Sequence, residues 1–546
     1  MDEMYYQAKI KEFKKNNDWQ GMYNFWLIEK LQEPKLWDNS EFLSEIAFGC
    51  GKLASVSAND IPRKNQEKEK FLYQKSEYRK EAERLWKRCI ELMPKNPKYL
   101  SGLGYLYYQN AVELNQPRGR RDGNKRKESE IAIQYFNQSL GIDSKRIKDL
   151  YRKGYLLVEI LPTTCWKDRN FELAKQYRLD GIKSLDAAIT YRESLDTKIP
   201  RQQDERNRCY NEYIKSFYSL GSVYYEMIIN KWDEAIFALG LRKIVDENDK
   251  ISYNPQDLNH ANLSYQYYNN CLVADINHRE ACEKVDKLYS LGKADFAKYW
   301  ILSGNGQKLD KYVSAEAIKY RDDAEQYFIQ ALNCSWSQEK QRQKKDYIAE
   351  KLARLYITKG SPEDNRPYEE AVKVIKKYQY GRLDPYILHT LSLALMLMGR
   401  HEEAKRNLIE AANPKFNQDI WTSDFLLGCL LLRKGELEDA NEYFDKALQR
   451  KETDTLLFGK ALIAYKSNRK LEALEIIQKA NQINPYNIAI SKYLDIWSKK
   501  LGNVQLEIRD KNEEIEDYSH YMYDAFGYDE EMGMDFDEYL DKFGYS

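Results

Sequence analysis

Residues 425–447 read FLLGCLLLRKGELEDANEYFDKA, and two spacings within that stretch decide the fold. Leu427, Gly428 and Leu431 share one face of a first helix. Ala440, Phe444 and Ala447 then follow at offsets of four and three, on one face of a second helix. A glycine on the first helix lets the second approach closely, and the aromatic ring of the second fills the remaining space. Neither helix can bury its apolar face alone, so neighbouring copies must stack.

Copies of both spacings extend outward from this stretch. The first recurs as Leu388-x2-Leu391-Ser392-x2-Leu395, as Phe217-x2-Leu220-Gly221-x2-Tyr224 and as Leu100-x2-Leu103-Gly104-x2-Tyr107. The second recurs as Ala82-Trp86-Cys89, Ala132-Phe136-Ser139, Ala324-Phe328-Ala331, Ala404-Leu408-Ala411 and Ala473-Ile477-Ala480, with Pro94 and Pro485 closing two copies. Ser392, Gly428 and Ala461 mark near-regular repeats, 36 and 33 residues apart. These small and large positions resemble the signature of the tetratricopeptide repeat family over most of residues 1–500. The resemblance implies an all-α fold, a right-handed α-solenoid of roughly nine to eleven antiparallel helix pairs. Degenerate capping helices are expected over 1–60, repeats stretched by insertions over 61–380, and regular repeats over 381–500. Insertions fall between Tyr107 and Ala132, at Ser303–Gln307, and at Ser361–Pro367.

In solenoids of this kind the first helix of each pair lines a concave, binding face. The stripe beside the Leu-Gly pair carries Lys98, Ser101, Tyr105 and Tyr108, then Lys148, Tyr151, Tyr155 and Val158, then Lys215, Tyr218, Ser222 and Tyr225. Lysine recurs at one position with tyrosines below it. A lysine column suits carboxylates, and tyrosine offers apolar area with a polar tip, so the stripe is a candidate groove for a protein or peptide. The alternative is that the tyrosines fill helix interfaces and the lysines are solvated. Some relatives clamp a peptide's terminal carboxylate with Lys and Asn; the matching Asn pattern is missing, so that specificity is not expected here. The C-terminal copies present a more apolar stripe, with Tyr386, His389, Leu393 and Met396 followed by Thr422, Phe425 and Cys429.

Composition changes after Lys511. Residues 512–546 hold twelve acids against the single base Lys542, a net charge of −11 that leaves +11 on the rest of a neutral chain. Among the acids lie Tyr518, Tyr521, Tyr523, Phe526, Tyr528, Phe536 and Tyr539, with Phe543 and Tyr545 beyond. A merely solubilising tail would lack aromatics, so this one reads as a recognition segment for a partner or for the chain's own groove. The insert at 118–127 carries Arg118, Arg120, Arg121, Lys125, Arg126 and Lys127, possible phosphate contacts. A nucleic-acid-binding or sensing repeat protein is therefore the alternative reading.

Other classes find little support. The 546 residues include 86 Lys+Arg and 86 Asp+Glu, so no global field selects nucleic acid or membrane. The longest apolar runs, Leu391–Met398 and Phe425–Leu432, fall short of the roughly 20 residues of a membrane span. The first residues lack the pattern of a signal peptide, and a cytoplasmic protein is the expectation. Cys271, His278 and Cys282 form the nearest approach to a zinc set, but no fourth ligand is spaced to close it. No metal and no cofactor are expected. Gly304-Asn305-Gly306-Gln307-Lys308 lacks the spacing of a phosphate loop, and no nucleophile elbow or zinc-protease motif occurs. The expected role is a non-catalytic scaffold, adaptor or regulatory subunit.

Overall fold

A computed structural model describes residues 3–56, 61–62, 64–115, 124–165, 170–229, 231–243, 245–275, 284–334, 339–361, 364–379, 384–413 and 421–500. The acidic, aromatic tail lies outside them. Regular structure among the described residues is helical, apart from an isolated bridge between Ser361 and Asp364. The described residues fall into two compact units. One holds those up to Val223 with Ala274 and Asp275, and the other holds Tyr224–Val273 and the residues from Lys284 onward.

The first unit comprises α1 (Glu3–Asn16), α2 (Trp19–Gln32), α3 (Ser40–Ala54), α4 (Asn65–Leu92), α5 (Pro97–Asn115), α6 (Lys125–Ile142), α7 (Ile147–Tyr155), α8 (Leu161–Cys165), α9 (Phe171–Glu193), α10 (Pro200–Arg208) and most of α11 (Tyr210–Glu226). Neighbours pack in pairs: α3 with α4, α5 with α6, and α7–α8 with α9. A π-helical turn at Leu156–Ile160 joins α7 to α8. Pro162 follows it, and a proline ring clashes with the carbonyl four residues back, here that of Val158. The widened turn lies across that position and carries the helix past the proline.

The second unit comprises α12 (Ala235–Ala238), α13 (Pro255–Ala274), α14 (Lys284–Leu302), α15 (Ala315–Leu332), α16 (Glu339–Lys359), α17 (Arg366–Tyr378), α18 (Pro385–Leu397), α19 (His401–Ala411), α20 (Trp421–Lys434), α21 (Leu437–Leu448), α22 (Asp454–Lys466), α23 (Lys470–Ile483) and α24 (Ile488–Lys500). From α14 to α23 these pack as successive pairs, first helix against second. The protein is thus an α-solenoid of helix pairs. The α18, α20 and α22 helices end alike. Gly399, Gly435 and Asn468 sit at φ of 77, 83 and 62°. The next residue's N–H reaches five back, Arg400 to Leu395 at 2.8 Å, Glu436 to Leu431 at 3.0 Å and Arg469 to Ala464 at 2.9 Å. Each is a Schellman turn, which needs one left-handed residue and releases the chain into the second helix.

The small–large–small triplets lie where the two helices of a pair meet, with Phe136, Phe328 and Phe444 fully buried. The ring is held against a first-helix glycine. A Cβ on Gly104 would stand 2.9 Å from the Phe136 ring, and one on Gly292 would stand 2.6 Å from Phe328. Phe444 serves two first helices: a Cβ on Gly428 would be 3.2 Å from its ring, and one on Gly459 of the next pair 2.6 Å. On α13, Ser264, Tyr268 and Cys271 are buried at the same offsets, a copy of the second-helix pattern not singled out in the sequence.

Truncating Phe444 to Ala is expected to cost about 3–5 kcal/mol in urea unfolding. Gly459→Ala should destabilise more than Gly428→Ala, because the ring stands closer to Gly459.

Candidate peptide-binding faces

In the first unit the predicted stripe knits successive first helices together. Lys98 Nζ lies 3.3 Å from Glu45 Oε1 of α3, and Glu45 also takes Lys14 at 2.8 Å. Burial raises the Glu45 carboxyl's pKa, but the two ammonium groups overcome this and hold it below the usual range. Lys148 pairs with Glu212 of α11 at 3.6 Å. Lys215 stands 5.8 Å from the Tyr151 ring centroid. The lysine column is therefore answered by carboxylates and a ring of the neighbouring helices.

Between α5 and α7 the stripe is tyrosine. Tyr108 meets Tyr155 edge-on at 5.9 Å, Tyr155 packs on Tyr151 at 6.1 Å, and Tyr105 stacks on Tyr108 at 6.0 Å. Tyr108, Tyr151, Tyr155 and Tyr218 are buried, whereas Tyr105 is half-buried beneath the Arg152 guanidinium at 4.0 Å. Ser101 is also buried, where it donates to Asp149. Asp149, itself inaccessible, accepts from Ser139 at 2.7 Å and from Arg146 at 2.8 Å as well. Asp149 and Arg152 were not singled out in the sequence: both lie on α7 one residue off the stripe, so periodicity alone does not find them. Tyr225 belongs to the second unit, where Lys293 and Lys231 stand 4.3 and 4.8 Å from its ring.

The remaining candidates divide between described and undescribed residues. Tyr518, Tyr521, Tyr523, Phe526, Tyr528, Phe536 and Tyr539 of the tail lie outside the described residues, as do Arg118, Arg120 and Arg121. Lys125 Nζ donates to Asn115 Oδ1 and Thr163 Oγ1, both at 2.9 Å. Arg126 pairs with Glu130 at 3.1 Å, and Lys127 is exposed in the first turn of α6. Of the zinc candidates only Cys271 is described, and it is buried. Among the described residues no helix is long and apolar enough to cross a membrane.

In the second unit the face formed by α18, α20 and α22 is already filled. The chain between α11 and α13 lays α12 across all three helices. Ala235, Ile236, Phe237, Ala238 and Leu241 are at most 3% exposed, in one apolar cluster with Leu393, Met396, Cys429, Leu430 and Phe458. Arg433 of α20 donates to the carbonyls of Phe237 and Ala238, each at 2.9 Å. Arg242 donates to the carbonyls of Thr358 at 2.8 Å and Lys308 at 3.0 Å. Trp232 stacks on Phe237 at 5.1 Å and lies 5.2 Å from Trp300. Leu393, Met396, Phe425 and Cys429 of the apolar stripe thus share a cluster with a segment of their own chain, while Tyr386 stays exposed.

That contact carries an electrostatic conflict. Asp233, just before α12, accepts from the Ala235 N–H at 2.9 Å. Burial, and then the charge of Asp454 on α22, push its pKa up to about 7. Burial also raises Asp454, against donation from Asn487 at 2.9 Å and Asn484 at 3.0 Å.

No family model matches the sequence, and no curated protein matches it. Among solved structures the chain is similar to the crystal structure of yeast Tom70, at 11% identity over 79% of this chain and 86% of that one, with a TM-score of 0.30. At that score the likeness carries no argument, and the solenoid assignment rests on the helix pairing itself.

Two measurements check these faces. Asp149→Ala strands Ser101, Ser139 and Arg146 and is expected to cost about 3–5 kcal/mol in urea unfolding. Asp233 titrates higher folded than unfolded, so its proton favours the folded chain at low pH. Stability should therefore fall as pH rises from about 4 through about 7, and Asp233→Asn should flatten that slope in unfolding titrations at pH 5.5 and 8.

Proposed function

We propose that this protein is a non-catalytic scaffold of tetratricopeptide-repeat type, an adaptor or regulatory subunit in the cytoplasm that binds a protein or peptide partner. One observation carries the reading. A first-helix face of the chain already holds a peptide segment, with apolar side chains in contact and a guanidinium on two of its carbonyls. The same architecture in the first unit leaves Lys98 exposed and Tyr105, Lys148 and Arg152 half-buried. This mixture suits a partner segment rich in aromatics, whose carboxylates would compete with Glu45 and Glu212 for the lysines; the chain's own tail has that composition.

Capture from the native host, with the full-length chain beside one ending at Lys511, tests the proposal. A defined protein is expected to co-purify with the full-length chain. Its loss on truncation would assign recruitment to the tail, and the gain of a protein would assign the tail a blocking role. Nucleic acid in both preparations, with steep loss at higher salt, would overturn the scaffold reading.

A further inference from the structure

The segment 231–243 is attached to its unit as a ligand is. Its helical hydrogen bonds stay within itself: Phe237 and Ala238 N–H bond to the Glu234 carbonyl, and Leu239 N–H to that of Ala235. Side-chain contacts hold it to its surroundings, with Arg433 on two of its carbonyls, its own Arg242 on the carbonyls of Thr358, Gly360 and Lys308, Arg354 3.7 Å from Glu234, and apolar contact with α18, α20 and α22. Each of those three helices has its own second-helix partner, α19, α21 and α23. The ring-against-glycine contacts of Gly428 and Gly459 with Phe444 do not involve the segment.

The fit also leaves polar atoms unsatisfied at the contact, as His389 Nδ1 and Ser392 Oγ of α18 are elsewhere on that helix. Trp232 Nε1 and Arg242 Nε are buried with no hydrogen-bond partner among the described residues. The charges of Asp454 and Glu234 disfavour ionised Asp233, and that of Lys451 opposes them. Such contacts weaken one segment's hold without disturbing the helix pairs beneath it.

We propose that segment 231–243 is a detachable internal ligand, and that the α18–α20–α22 face it leaves takes a partner segment of the same chemistry. That chemistry is an acidic pair followed, within one turn of helix, by Ile- and Phe-type side chains, with main-chain carbonyls presented to Arg433. The proposal rests on the peptide-binding reading above and adds the occupant and its control. Detachment becomes easier as Asp233 ionises, so the face opens toward alkaline pH.

Hydrogen exchange on the full-length protein decides whether the segment leaves. The Phe237, Ala238 and Leu239 amides are expected to exchange at least about tenfold faster, corrected for intrinsic rates, than those of Leu430 and Leu431 in α20. The gap should widen from pH 6 to pH 8 and narrow in Asp233→Asn. Exchange of both sets together, with one denaturant dependence, would show permanent core and overturn the proposal. A labelled peptide copying residues 231–245 then tests the vacated face. It should bind the Ile236→Ser/Phe237→Ser chain at least about tenfold tighter than the wild type, and adding Arg433→Gln should abolish binding. No binding to a double variant whose α18–α23 amides stay protected would overturn the assigned partner chemistry. So would segment exchange between two copies, read as a dimer by light scattering. Neither experiment depends on the native partner, so a failed capture and a failed detachment are told apart.

Discussion

The packing of several helix pairs among the described residues depends on one steric arrangement, an aromatic ring of a second helix seated against a residue without a side chain on the first. Where Phe444 lies between Gly428 and Gly459, one ring sets the spacing within a pair and between that pair and the next. The consequence is directional. A ring that reaches two first helices makes each repeat's stability conditional on its neighbour, which is how an array of units too small to fold alone becomes a cooperative body.

The second constraint concerns the stripe beside that seam. First helices stacked side by side bring their polar residues together, and groups that lose water there must find partners. In the first unit they do so across the repeat boundary: Lys98 with Glu45, Lys148 with Glu212, Ser101 and Ser139 on Asp149. A lysine so paired is no longer an open cation waiting for a ligand. An incoming carboxylate would have to compete with one already in place, so a partner proposed for the first-unit face would be selected by ring and shape more than by charge.

The helix pairs were legible because Leu-Gly and Ala-x3-Phe-x2-Ala reflect a local steric need that recurs at fixed offsets. The stripe was legible in register but not in its partners. Periodicity places Lys98 and Lys148 on a face, whereas Glu45 and Glu212 come from helices 53 and 64 positions away in the sequence. Segment 231–243 was not legible at all. Its Trp-Asp-Glu-Ala-Ile-Phe-Ala run matches neither helix of the repeat, and no spacing marks an insertion that folds back onto repeats about 150–230 residues further along.

That blind spot follows from what an insertion into a repeat array is free to do. The repeats must satisfy the ring-and-notch contact and so keep their spacing, whereas a connection between them has only to close its ends, at an entropic cost that grows slowly with length. The connections of the second unit use that freedom to reach the first-helix face. The α11–α13 connection lays α12 on it, and Gln307, in the turn after α14, accepts the Ala489 N–H of α24 at 2.8 Å. Both units are built from the same paired helices, yet their faces end differently, one knitted by its own stripe and one covered by its own loop. Under the proposed function, the specificity of this protein is written in its insertions rather than in its repeats, and the loop already seated on the face is the guide to the partner proposed for it.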